Sequence, residues 1–250
     1  LFVTPVAASF APTITGDYHI QPCSPVLNAG ENSYIPLGIT TDLDGNPRIN
    51  YGYVDMGAYE KQLQLAVPDA NGIVFVDYTK TGNGSSWANA VADLSDALVA
   101  ARFNSSILQV WVAKGTYHPK YILGYRSLIC NLVNRYSTFQ LTDNIKLYGG
   151  FAPGETDTTT RNFVLNETIL SGDIGTPDVK TDNCYNVLQS GPINDAYING
   201  LTVTRGNDIF SGAGLRNTSL SMKISHCIFS ENEAPAASGG GILNEAPCTI

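Results

Sequence analysis

The stretch Gly212-Ala213-Gly214-Leu215-Arg216-Asn217 returns as Gly239-Gly240-Gly241-Ile242-Leu243-Asn244, glycine answering glycine at both ends of the first half and Asn244 answering Asn217. Strand-like segments around it keep nearly the same step: Ile198, Leu201 and Val203 align with Ile224, Cys227 and Phe229, and Ile224 aligns in turn with Ile250. Three turns of one pattern are visible. Short alternating apolar strands, separated by Gly and Asn and repeating every ~20 to 30 residues, predict a solenoid in which each coil buries its inward side chains against the next. No 3.6-residue periodicity runs through these coils, which excludes a helical solenoid.

The totals point the same way. In 250 residues, 43% are apolar, which supplies a sizeable core, and only 14% are charged, with 24 Gly and 13 Tyr. That is a composition of short strands and many turns, and it predicts an all-β fold. A net charge of -8 with 14 basic residues and no basic cluster argues against a nucleic-acid partner. No apolar run reaches the ~18 to 20 residues of a membrane span. The five cysteines, Cys23, Cys130, Cys184, Cys227 and Cys248, contain no CxxC pair, and their odd number cannot close as a full disulfide set. A cysteine in a strand-like run such as His226-Cys227-Ile228-Phe229 is read as a small buried apolar residue. Leu1 does not open a signal peptide, and the chain begins and stops in mid-pattern, so it reads as a piece of a longer polypeptide.

One segment reads as a helix. Over Trp87 to Phe103, Val91, Leu94, Leu98 and Ala101 fall on one face, with Ser85 or Ser86 placed as N-cap. It lies between strand-like Gly72–Asp77 and Ile107–Val112, just before the coils begin. An open solenoid end exposes core side chains and unpaired edges, so this short amphipathic helix is expected to cap it. A composition break at Lys61 to Asn71 marks a boundary, giving residues 1–62, a linker over 63–72, and a second module over 73–250. Asp17 to Gly30 has strand-then-turn character with no room for a core of its own.

Several longer motifs carry a resemblance. DYHIQPCSPVLNAG, TDLDGNPRI and VDMGAYE occupy Asp17–Gly30, Thr41–Ile49 and Val54–Glu60; VFVDYTKTGNGSSWANAVADLSDAL, VWVAKGTYHP, FQLTDNIKLYGGF and RNFVLNETILSGDI occupy Val74–Leu98, Val110–Pro119, Phe139–Phe151 and Arg161–Ile174. These are similar to segments that close and open modules in bacterial surface proteins built on the right-handed parallel β-helix. The resemblance implies the tail of one β-helix, a linker and the capped start of the next, in a secreted, surface-anchored protein. Tyr121–Ser137 departs from the family's polar loop by being apolar and reads as an insertion.

Enzymes of the β-helix fold make catalysis the natural rival to a structural role. A hydrolase of this kind would place two or three aspartates on neighbouring coils, one protonating the leaving oxygen and one activating water. The coils offer Asp195 and Asp208, Glu231 and Glu233, and His226, without an Asp-Asp pair; Arg205 and Arg216 lack the carboxylate cluster a lyase would require. No catalytic residue is assigned. The turns Arg205–Asp208 and Glu231–Glu233 read as solvated turns with stacked asparagines, or as a carbohydrate- or Ca²⁺-binding edge, with Tyr185, Tyr197 and Phe210 either core or sugar platform. Gly82–Ser86 lacks the ending of a phosphate loop.

Asp42, Asp44 and Asn46 alternate oxygen donors around Gly45, which suits Ca²⁺, but the twelfth position of an EF-hand loop is Tyr53. The choice is a bare Asx-stabilised turn or a Ca²⁺-braced one; no cofactor is required. The expected function is an extracellular structural or adhesive segment that associates end to end or with other surface proteins. The alternative is a carbohydrate-active or carbohydrate-binding protein of the same fold, with polysaccharide as partner.

Overall fold

A computed structural model describes the chain except residues 1, 11, 13, 14, 22, 23, 51, 63, 124–127, 130–133, 210, 211, 237, 238, 247 and 250, and the side chains of 123, 128, 129, 248 and 249. It is mostly β, with parallel sheets and one α-helix among the described residues. Two compact units form, Leu1–Gln64 with Ile122–Leu132, and Leu65–Tyr121 with Val133–Ile250.

The first unit carries the antiparallel pair β1 (Phe2–Thr4) and β2 (Asp17–Ile20). It has a small, largely polar interior, which Asp17–Gly30 shares with residues 42–60: Ile20, Leu27 and Val54 are buried, and so are Asp42, Asp55 and Glu60. In chain order the second unit then contributes β3 (Ile73–Val76), α1 (Leu94–Phe103), β4 (Gln109–Ala113) and β5 (Gly115–Tyr117). A short hairpin, β6 (Ile122–Leu123) with β7 (Leu128–Ile129), belongs to the first unit. Most of the apolar stretch inside the Tyr121–Ser137 insertion lies outside the described residues.

The remaining strands build three parallel sheets: β8 (Phe139–Gln140), β9 (Ile145–Phe151), β10 (Thr168–Ser171), β11 (Leu188–Gln189), β12 (Ala196–Asn199), β13 (Thr202–Thr204), β14 (Leu215–Asn217), β15 (Met222–Ser225), β16 (Ile228–Ser230), β17 (Ile242–Asn244) and β18 (Cys248–Thr249). Their orders are β18-β15-β12-β9-β4-β3, β16-β13-β10-β5 and β17-β14-β11-β8. From β9 onward the chain enters these sheets in strict rotation. The register reproduces the repeat: Ile198 pairs with Ile224, Val203 with Phe229, and Leu215 with Ile242, the same partners that the sequence pattern aligns. The corners tolerate other lengths, since the step from Ile169 to its partner Thr202 is longer than the step from Thr202 to Ile228.

Alternation sends one ladder of side chains inward from each sheet: Val110, Leu147, Ile198 and Ile224; Tyr117, Leu170, Val203 and Phe229; Phe139, Leu188, Leu215 and Ile242. All belong to or pack on one apolar cluster. Each fully buried side chain of this size contributes roughly 1.5–3 kcal/mol.

The helix begins at Leu94, not Trp87. Asp93 caps it, its carboxylate accepting the Ser95 N–H at 2.7 Å. Residues 79–91 are held elsewhere. The Val91 N–H donates to the Phe75 carbonyl, and the Trp87 ring packs against Phe75 and Phe151 while its Nε1 donates to the Glu155 carbonyl at 2.7 Å. Sheet pairing and aromatic burial thus override the helical pattern there. Gly82–Ser86 consequently adjoins no helix N-terminus. The helix packs on β3, β4 and β8, with Leu94, Ala97, Leu98 and Ala101 in the apolar core. Among the described residues no helix is long and apolar enough to cross a membrane.

Candidate functional site

Two polar constellations stand out, one in each unit. In the first, Gly45 takes φ +84°, the left-handed turn conformation that Gly tolerates. Asp42, 8% exposed, is surrounded by donors. Its Oδ1 accepts the N–H groups of Asp44 (2.9 Å) and Asn46 (2.8 Å), and its Oδ2 accepts those of Glu60 (2.9 Å) and the Asn46 amide (3.4 Å). Burial pushes the Asp42 carboxyl up, but these N–H groups outweigh it and hold the carboxyl below its usual range. Asp44 turns instead to His19, whose Nε2 lies 2.7 Å from its Oδ2 while Nδ1 lies 2.5 Å from Asp17 Oδ1. The Asp44 and Asp17 hydrogen bonds raise the His19 pKa. Both oxygens of Asp42 and Oδ2 of Asp44, three of those expected to face Ca²⁺, are therefore directed to nitrogen donors. Among the described residues no group of three or more His, Cys, Asp or Glu is placed to hold a metal ion.

Behind this turn lie two more carboxylates. Burial raises the Asp55 carboxyl, although its oxygens accept the N–H groups of Asn28 and Lys61. Burial first, then the neighbouring Asp55 and Asp42 charges, push Glu60 up to about 7 against the opposing Arg48 guanidinium, with which it forms an ion pair.

In the second unit the corner residues after β13 and β16, Arg205 (φ +62°) and Glu231 (φ +54°), occupy matching places one repeat apart in equivalent left-handed conformations. Arg205 reaches back to the loop after β10: its Nη1 lies 2.7 Å from Asp173 Oδ2 and 2.7 Å from Asp178 Oδ1, and its Nε lies 3.6 Å from Glu231 Oε2. Lys180 pairs with Glu233. These groups line a cavity of about 440 Å³ together with Asn183. A second cavity of about 360 Å³ continues across the sheet, sharing Asp173, Arg205 and Glu231 and adding Thr116, His118, Ser171, Thr202 and Thr204.

No protein-family model, curated protein or solved structure matches this chain. What the site can do rests on its geometry alone.

Of the residues singled out from sequence, Arg205, Glu231 and Glu233 come together in this cleft. Asp208 is buried elsewhere and receives the Asn186 side-chain amide at 3.1 Å. His226 is held by Ser225 Oγ (2.8 Å) and the Asn199 amide (3.3 Å). Tyr197 packs edge-on against Tyr148, and Tyr185 lies under the Arg135 guanidinium at 4.2 Å; Phe210 falls outside the described residues. Cys184 is free and buried, Cys227 free and half-buried, and burial raises both thiols; Cys23, Cys130 and the Cys248 side chain lie outside the described set. Sequence reasoning missed Asp173, Asp178, Lys180, Asn183, His118 and His19. The signal within reach was the density of Asp and Asn in 173–183, a run too irregular to align with the repeat.

Proposed function

We propose that the chain is a segment of an extracellular structural or adhesive protein built as a right-handed parallel β-helix, with α1 as its capping helix and no catalytic role of its own. The supporting observation is the rotation of successive strands through three parallel sheets, with the last layers in register at the step the sequence repeats. Such stacking propagates main-chain hydrogen bonds along one axis at ~4.8 Å per layer and makes a stiff scaffold. The corners are then free to meet end-to-end copies, other surface proteins or polysaccharide. The salt-bridged state of Asp173, Asp178, Glu231 and Glu233 favours a scaffold over a hydrolase, which needs a free acid and base. An antibody to the chain is expected to label unpermeabilised source cells, and the purified chain to leave a panel of acidic and neutral polysaccharides uncut, with or without EDTA. Labelling only after lysis, or release of reducing ends or unsaturated sugar, would overturn the reading.

The second reading, a carbohydrate-binding protein of the same fold, is favoured by the cleft beside Arg205, whose lining mixes carboxylates, two amides, hydroxyls and the cations Arg205 and Lys180.

A further inference from the structure

We infer that residues 82–91 are an edge guard: they fold over the outer edge of β3 and shut a strand-addition interface at which a second copy of this chain would otherwise pair. The inference goes beyond the scaffold reading, because it concerns where one parallel stack can meet another.

β3 is an edge strand of the six-stranded sheet, with its one strand neighbour, β4, on one side. Bare, that edge would present Ile73-Val74-Phe75-Val76, a β-branched and aromatic run without charge or proline. Such a segment pairs readily with an identical one, which makes a second copy the natural occupant.

The structure leaves none of this edge open. On the side away from β4 the hydrogen-bonding groups belong to Ile73, Phe75 and Asp77. The Ile73 N–H donates to Asp69 Oδ1 at 2.9 Å, and the Ile73 carbonyl accepts the Asp69 N–H at 2.9 Å. The Phe75 N–H donates to the Gly84 carbonyl (2.9 Å), and the Phe75 carbonyl accepts the Val91 N–H (3.0 Å). The Asp77 N–H donates to the Val91 carbonyl (2.9 Å), and the Asp77 carbonyl accepts the Lys80 N–H (2.9 Å). A strand from another chain finds no donor or acceptor there while the guard is closed.

Two features hold the guard down. It doubles back on itself, the Gly82 N–H donating to the Ala90 carbonyl (2.8 Å) and the Gly84 N–H to the Asn89 carbonyl (2.6 Å). Gly84 takes φ +93°, and a Cβ at Gly82 would lie 2.3 Å from the Asn89 carbonyl oxygen, so neither position admits a side chain without strain. The guard is also anchored: Trp87 packs edge-on against Phe75 at 4.9 Å, its Nε1 donates to the Glu155 carbonyl, and Ala90 is fully buried. Capping is thereby divided between two elements. The apolar side chains of α1 close the core, whereas the guard and its flanks occupy the backbone of the edge.

The test is residue-resolved amide hydrogen exchange of the whole chain at low and high protein concentration, with light scattering alongside. In the wild type the Phe75, Asp77 and Val91 amides are expected to exchange together, ahead of Ile198 in the interior strand β12, because one opening of the guard frees all three. Trp87→Ala and Val91→Pro are expected to speed exchange at Phe75 and Asp77 at least tenfold while Ile198 stays protected. At high concentration both variants are expected to form larger species in which Phe75 and Asp77 regain protection. The wild-type measurement decides the matter if both variants unfold. Val91 exchanging well ahead of Phe75 and Asp77 in the wild type, or unchanged protection of those two amides in both variants, would overturn the inference. So would an opened edge in variants that stay the size of the wild type, or a larger species without renewed protection at Phe75 and Asp77.

Discussion

Asn217 donates its side-chain amide to Oδ1 of Asn244 at 2.7 Å, its direct neighbour in register on the next strand of the sheet. Asn217 is fully buried, and its own Oδ1 accepts from Ser190 Oγ (2.8 Å) and the Ser219 N–H (3.0 Å). Three layers of the sheet are thereby tied by one amide. Asn217→Ala takes the acceptor from the buried Ser190 hydroxyl and the donor from Asn244, and leaves the Ser219 N–H only its bond to Ser190 Oγ at 3.0 Å, so a loss of ~1–3 kcal/mol is expected. Urea unfolding with an unchanged m-value is the measurement; a loss under ~0.5 kcal/mol would show the ladder to be ornamental.

The inward ladders make a sharper contrast. Leu170 is fully buried between Tyr117 and Val203, whereas its neighbour Ile169 faces outward. Leu170→Ala should destabilise by about 2–5 kcal/mol and Ile169→Ala by well under half of that. Equal effects of the two, in the same denaturation assay, would contradict the assigned register.

Arg161 is a clasp between loop and sheet. Its guanidinium lies 4.9 Å from the Tyr148 ring, 5.0 Å from Phe151 and 5.2 Å from Phe163, and donates to the Gly149 carbonyl and Asn199 Oδ1, both at 2.6 Å. Lysine cannot reproduce a planar group with two directed donors. Arg161→Lys is expected to lose about 2 kcal/mol and to expose 152–165 to limited proteolysis; wild-type resistance would refute the clasp.

The buried carboxylates of the first unit set a pH dependence with a definite sign. Glu60 is pushed up to about 7 from an ordinary 4.5, so the folded state binds its proton more tightly than the unfolded state. Its contribution is fully present below about 4.5 and is lost as pH rises towards 7. The difference corresponds to ~3 kcal/mol across that window. Glu60→Gln should flatten the slope of stability between these limits, measured by denaturation at stepped pH; an unchanged slope would assign the effect elsewhere.

Asp42 supports the turn through N–H groups at both of its oxygens. Asp42→Ala orphans the Asp44, Asn46 and Glu60 donors and should cost about 2–4 kcal/mol. EDTA, on the same argument, should leave the melting midpoint of the wild type where it is. A midpoint lowered by EDTA and restored by Ca²⁺ would instead make this turn a metal site.

Much of the second unit's layout could be read from local pattern. Residues such as Ile198 and Ile224, or Leu215 and Ile242, announce their pairing through a recurring step, because parallel strands stacked in register repeat the same inward side chain. The C-terminal turns of α1 were equally legible from the spacing of Leu94, Leu98 and Ala101. What failed was the start of that helix, where Trp87 satisfies its ring and Nε1 through Phe151 and Glu155, far along the chain. The Arg205 cleft was hidden for a related reason. Its partners Asp173 and Asp178 lie well upstream, in a loop whose length breaks the repeat. The His19–Asp44 contact joins two turns that share no periodic signal.

The unequal steps between paired strands have a practical meaning. More chain separates Ile169 from Thr202 than separates Thr202 from Ile228, yet both pairs sit in register, so surplus chain is absorbed at the corners and never reaches the rungs. The fold thus behaves as a chassis of fixed pitch with interchangeable outgrowths. Loops of very different length can be displayed at a spacing of ~4.8 Å without retuning the interior, and the corner after β10 is the natural place to graft one.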